Sequence, residues 1–134
     1  MNKEEMYKQI IDYVENTPGF IKYNNLHVEE LKDNYCKMYV DLTENGLNPS
    51  SIAHGGLLFG LADTTMGIAA RTTGRNVVTI NAQIDYLKPS KTKRIYCISE
   101  PLKIGKTTAV YRASIYNDKN ELTSTVTGTF FFLD

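Results

Sequence analysis

The sequence predicts an α+β fold: one antiparallel sheet with a single long helix across its face and a short helix ahead of both. Two observations carry this. Residues 52–70 form a stretch apolar on nearly every side of a helix, and after Gly74 come four strand-like segments separated by turn residues. A helix with so little polar surface must be enclosed by other structure, and a sheet apolar on one face supplies the enclosure.

Taken in order, Met6, Ile10, Ile11 and Val14 recur at helical spacing between Lys3 and Glu15, and Pro18-Gly19 follows as a stop. From Tyr35 to Leu42, Cys36, Met38, Val40 and Leu42 alternate with Tyr35, Lys37, Tyr39 and Asp41 up to the turn signal Asn45-Gly46, which reads as a strand. The helix over Ile52 to Ala70 contains Leu57, Leu58, Phe59, Leu61, Ala62, Met66 and Ile68 and one acidic residue. Strands follow at Val77 to Leu87, Arg94 to Glu100, Thr108 to Tyr116 and Leu122 to Leu133. Turns at Pro89-Ser90, Ile104-Gly105-Lys106 and Asn117 to Asn120 separate them, which predicts a meander. Val77, Leu87, Tyr111, Ile115 and Phe131 are expected on the sheet's outer side among Thr, Asn and Gln, a mixed surface suited to another subunit.

A chain of 134 residues without repeats or linkers fits one domain over 1–134. Its 42% hydrophobic and 22% charged residues are ordinary for a folded globular protein. Fifteen basic residues balance fifteen acidic ones, leaving no net field to hold a nucleic acid. The first residues, MNKEEMYKQIIDYVEN, have four acidic groups and no apolar run of signal or membrane length, so a cytoplasmic protein without membrane contact is expected. Cys36 and Cys97 lie far apart with no second Cys or His at metal-ligand spacing, which reads as two buried, reduced thiols and no metal.

Asp63 is the residue that needs a reason. It stands in NPSSIAHGGLLFGLADTT, residues 48–65, with no other charge until Arg71, and burying a lone carboxylate costs several kcal/mol. Either neighbouring side chains donate hydrogen bonds to it and it fixes packing, or a partly dry site keeps it reactive as a general base or nucleophile. Gly55 and Gly56 stand where the loop becomes the helix, whose first amides have no intrahelical acceptor. The turn, together with the helix dipole, suits a developing oxyanion, although two glycines also simply make a tight turn. His54 is a cap or a packed ring as readily as a catalyst. His27, in a loop before the first strand, carries no assigned role. No G-x-S-x-G elbow and no phosphate-binding glycine loop is present.

With Asn48, His54-Gly55-Gly56 and Leu61-Ala62-Asp63 in place, the sequence resembles the hotdog-fold acyl-CoA thioesterases of the phenylacetate-degradation type, the PaaI-like group. The likeness extends through Ile84-Asp85-Tyr86-Leu87-Lys88-Pro89 and Lys103-Ile104-Gly105-Lys106, and covers nearly all of the chain from Tyr35. It implies a sheet wrapped around the central helix, a homodimer joined sheet edge to sheet edge, often a homotetramer of two dimers, and active sites shared across the dimer.

The resemblance also implies roles. Asp63 activates water or attacks the thioester carbonyl, the Gly55 amide holds that carbonyl oxygen, Asn48 polarises or positions it, and His54 shapes the loop. Thr79, with Thr64 as a weaker candidate, is the expected hydroxyl near the water. Gly56, Thr64, Lys88, Pro89, Lys103 and Lys106 are expected against the substrate, with Lys91, Lys93 and Arg94 as further partners for the phosphates of coenzyme A. Thioester hydrolysis needs no metal or cofactor, coenzyme A entering as part of the substrate. One departure is Ser51, where the family usually has glycine; with Pro49 it implies a stiffer loop or one shaped for a different acyl group. A non-catalytic acyl-CoA-binding module, a hydratase on the same fold and a purely structural subunit are the competing expectations.

Overall fold

A computed structural model describes residues 1–134. In chain order it contains α1 (Lys3–Asn16), α2 (Phe20–Tyr23), β1 (Leu26–Lys32), β2 (Tyr35–Asp41), a 3-10 turn (Glu44–Gly46), α3 (Gly55–Arg71), β3 (Val77–Tyr86), β4 (Arg94–Ile104), β5 (Thr108–Tyr116) and β6 (Leu122–Phe132). Asn2 caps α1 by accepting the Glu5 backbone N–H at 2.9 Å, and Glu4 and Glu5 suit the positive end of its dipole.

The six strands form one sheet in the order β1-β2-β4-β5-β6-β3, and every neighbouring pair is antiparallel. The sheet curls around α3, whose Leu57, Leu58, Leu61, Ala62 and Met66 are buried against Met38, Val40, Ile95, Tyr111 and Phe130. Against the α3 side chain of Met66, β6 has Gly128, and a Cβ there would fall 2.8 Å from Met66 Cε. The expected architecture of a sheet wrapped around one central helix is the one observed.

Four expectations are corrected. The segment before Tyr35 is not a loop: β1 pairs with β2, and His27 lies within it, its Nδ1 2.8 Å from Glu15 Oε2. A bulge between Val28 and Glu30 breaks the alternation that would have revealed the strand. Second, the last four strands are not one meander. β4, β5 and β6 are, but β3 pairs with β6 at the far edge. The amides of Leu87 and Lys88 both donate to the Thr123 carbonyl, holding the chain along β6 after β3 rather than letting it fold back on itself. Third, α3 starts at Gly55 rather than Ile52, and β4 runs on to Ile104. Fourth, Val77, Tyr111 and Ile115 are buried in the core, so the mixed outer surface retains only Leu87 and Phe131 of the five named, 58% and 37% exposed. Tyr111 tolerates the core because its hydroxyl donates to Asn34 Oδ1 at 3.0 Å.

β3 leaves its outer edge without a strand. Val78, Ile80 and Tyr86 along it are 47%, 58% and 52% exposed, an apolar edge of the kind proteins ordinarily cover.

Candidate active site

Two side chains bring β3 onto α3. Thr79 Oγ1 donates to Asp63 Oδ1 at 2.7 Å, and Tyr86 Oη donates to the Gly55 carbonyl at 2.7 Å. Tyr86 follows Thr79 by seven positions, an odd spacing that would put them on opposite faces of a regular strand. The register shift between Thr79 and Asn81 inserts Ile80 as an extra residue, so both hydroxyls reach the helix. The bulge is therefore what aligns the two ends of the site.

The half-buried Asp63 carboxylate sits in the wall of a cavity of about 580 Å3 between α1, α3 and the start of β3. Thr64 lines the same cavity. With Oδ1 held by Thr79, Oδ2 is the oxygen left for a water or a substrate atom. The carboxylate is thus anchored by one hydrogen bond and is not sealed into the core.

At the N-terminus of α3 the first amides can be accounted for one by one. Gly56 N–H donates to His54 Nδ1 at 2.8 Å, and Leu57 and Leu58 donate to the His54 carbonyl at 3.0 and 3.2 Å. Gly55 N–H has no acceptor within the chain. His54 is the N-cap, and with Nδ1 accepting, its neutral ring carries the proton on Nε2. This separates the two glycines. Gly56, expected against the substrate, has its amide occupied by the histidine ring, and Gly55 alone presents a free donor at the positive end of the helix dipole.

Asn48 shapes the approach to that turn: its Oδ1 accepts from Ser50 N at 2.9 Å and from Ile52 N at 3.3 Å. Only its amide nitrogen remains to point elsewhere. Ser51 adopts φ 63°, the left-handed region that favours glycine, so the loop keeps a glycine-type path with a serine in it. A side chain there costs about 1 kcal/mol of backbone strain, partly offset in the unfolded chain by the smaller freedom of serine. Ser51→Gly is expected to raise the melting temperature by about 2 °C, measured by calorimetry; a lowered value would show that the serine hydroxyl contributes more than the strain removes.

Tyr86 was missed as a site residue. Its ring covers Gly55 so closely that a Cβ on that glycine would lie 3.0 Å from the hydroxyl oxygen, and burial pushes its phenol up, keeping it a donor. The only sequence signal was a hydroxyl-bearing aromatic at the end of the strand following the helix.

The basic residues do not gather. Lys88 Nζ is paired with Glu121 at 2.6 Å, Arg94 is paired with Asp41 at 2.8 Å, and Pro89, Lys91 and Lys93 are exposed nearby. Lys103 and Lys106 are at the opposite end of the sheet, roughly 30 Å away at about 3.3 Å per residue. Cys36 and Cys97 are buried and unpaired as expected. Burial pushes both thiols up, Cys97 to about 12, which leaves neither a nucleophile.

Along α3, Asp63 follows Gly55 by eight residues, roughly 12 Å at about 1.5 Å each. Within one chain the carboxylate and the free amide are therefore too far apart to act on one carbonyl.

The family model described as the Thioesterase superfamily matches residues 51–124. A protein of Archaeoglobus fulgidus, provisionally named an esterase, is 25% identical over 130 residues, spanning 96% of this chain and 84% of its own. Acyl-coenzyme A thioesterase PaaI of Escherichia coli is 27% identical over 97 residues, 72% of this chain and 69% of its own. The solved structure of the E. coli PaaI protein from the phenylacetic acid degradation operon superposes with a TM-score of 0.91 over 99% of this chain and 97% of that one; at 22% identity this is a likeness of fold. A hypothetical thioesterase protein of Streptococcus pneumoniae TIGR4, solved with coenzyme A, is 28% identical with a TM-score of 0.79 over 83% of this chain and 90% of its own. No helix of the chain is long and apolar enough to cross a membrane.

Proposed function

This chain belongs to the Thioesterase superfamily, is a thioester hydrolase and has the PaaI-like hotdog fold, and from that premise we propose that it hydrolyses acyl-CoA to a free acid and coenzyme A with Asp63 as general base. The observation that carries this is the Asp63 carboxylate, tethered by Thr79 through one oxygen in the wall of the cavity of about 580 Å3.

In the proposed reaction, Asp63 takes a proton from a water whose oxygen attacks the thioester carbonyl carbon. The carbonyl oxygen becomes an alkoxide, held by the Gly55 amide and the dipole of α3. When that intermediate collapses, the carbon–sulfur bond breaks and the coenzyme A sulfur receives the proton from Asp63, leaving a carboxylic acid and a thiol. Thr79 positions the base, the Asn48 amide nitrogen helps to orient the carbonyl, and His54, by holding the Gly56 amide, keeps the turn in shape. No metal or cofactor is required, because the thiolate leaves readily.

The 12 Å between base and oxyanion donor calls for a second copy of the chain. Antiparallel pairing of the free β3 edges would set the Tyr86 and Gly55 end of one protomer beside the Thr79 and Asp63 end of the other, giving two composite sites and covering the exposed apolar edge. The same pairing brings the Lys106 end of one protomer alongside the Lys88 end of its mate, where the phosphates of coenzyme A would lie. Lys88 would exchange Glu121 for phosphate on binding. In this reading residues 1–134 act as one domain, two dimers assemble into a tetramer, and the reaction is cytoplasmic.

The direct test is thiol release. Wild type incubated with acetyl-, octanoyl-, decanoyl- and phenylacetyl-CoA should liberate free coenzyme A from at least one of them, read by a thiol reagent. Binding of these thioesters without thiol release from any would favour the non-catalytic module instead.

A further inference from the structure

The cavity beside Asp63 has a shape that the catalytic residues do not explain. Asp63, Thr64, Gly67, Ile68 and Arg71 line it along one stripe of α3, at the i, i+4 and i+8 spacing of a single helix face. α1 forms the opposite wall through Ile10 and Tyr13. Phe20 closes the end near the start of α3: its ring rests on Gly60, where a Cβ would lie 2.6 Å from Phe20 Cζ. Met6 closes the other end, its sulfur 3.9 Å from the position of a Cβ on Gly74. The floor between these ends is open because residue 67 has no side chain. A Cβ on Gly67 would meet only Phe130 Cε2, at an ordinary 3.8 Å, and anything longer would project into the cavity.

We propose that this trough is the acyl slot, that Gly67 sets its depth, and that the preferred substrate is a medium-chain aliphatic acyl thioester of about ten carbons. The proposal rests on the thioesterase reading, which puts the thioester carbonyl at Asp63. From there to Arg71 the helix rises roughly 12 Å, the extended length of about nine carbon–carbon bonds, each about 1.5 Å long and advancing about 1.3 Å along the zigzag.

The test is the chain-length profile of kcat/KM from acetyl- to hexadecanoyl-CoA for wild type, Gly67→Ala and Gly67→Leu, with melting temperatures for all three. Wild type should peak near decanoyl. Each methylene denied its place should cost about fourfold, so the decanoyl-to-butyryl ratio should fall about fourfold in Gly67→Ala and about fiftyfold or more in Gly67→Leu. An unchanged ratio in folded Gly67→Leu, or an equal loss at every length, would overturn the slot. If Gly67→Leu does not fold, Gly67→Ala, which favours the helix, carries the same comparison. Calorimetric binding of free decanoate separates this proposal from the catalytic one. Wild type that hydrolyses nothing, yet binds decanoate at least tenfold more tightly than Gly67→Ala or Gly67→Leu, keeps the slot and ends the thioesterase reading. Absence of decanoate binding by wild type ends the slot.

Discussion

Asp63→Asn is expected to hydrolyse acyl-CoA roughly a thousandfold more slowly than wild type, the range lost when a positioned general base is removed, and to melt within about 2 °C of it. The second half makes the first interpretable. Asparagine has the shape of aspartate and keeps an oxygen that can accept the 2.7 Å hydrogen bond from Thr79, so the β3 to α3 contact survives while the basicity disappears. Asp63 is half-buried at a cavity wall, so removing its charge leaves no unpaired charge in the core. Substrate binding, measured as KM or by calorimetry with a non-hydrolysable thioether analogue, should change far less than kcat. Thr79→Val serves as the graded comparison: it removes the tether and leaves the carboxylate, and about a tenfold loss is expected of a positioning residue. A thousandfold loss in Thr79→Val with a mild one in Asp63→Asn would reverse the assignment and make the hydroxyl the principal group. Retention of full activity by Asp63→Asn would end the proposed mechanism.

Mixing two inactive proteins should restore activity. In Gly55→Ala the added Cβ meets Tyr86 at 3.0 Å and crowds the one free amide of the α3 N-terminus, and loss of an oxyanion donor costs about a hundredfold or more. If each site takes Asp63 from one protomer and Gly55 from the other, a mixed dimer of Asp63→Asn with Gly55→Ala has one site bearing both lesions and one site bearing neither. Random reassociation of equal amounts, through mild denaturant and dilution, makes about half the dimers mixed, and activity should recover to about a quarter of wild type. Sites contained within single chains would give no recovery, because every chain in the mixture carries a lesion. The result thus decides whether the 12 Å between base and amide is bridged by a second copy.

Much of this was legible from residues alone because the signals are local. Apolar residues on nearly every side of residues 52–70 marked an enclosed helix, and Asp63 stood out in it because a carboxylate in apolar surroundings needs a reason. Alternation marked β2, β5 and β6 to within a residue or two, since period two encodes the faces of a strand wherever the pleat is regular. β1 was lost where a bulge interrupts that period.

The sequence by itself marked the enclosed central helix, its lone carboxylate and the glycine turn, while its reading of which sheet residues face outward failed at Val77, Tyr111 and Ile115, which are buried. Only the tertiary structure decided that β3 pairs with β6 and leaves an open edge, that the bulge at Ile80 turns Thr79 and Tyr86 to the same face, that His54 occupies the Gly56 amide and leaves Gly55 free, and that Gly67 opens a trough against α1. The physical reason is the range of the interactions. Propensity, periodicity and capping act over a few residues and are written into neighbouring letters. Strand order, bulges and cavities are set by which distant segments satisfy each other's hydrogen bonds and fill each other's gaps.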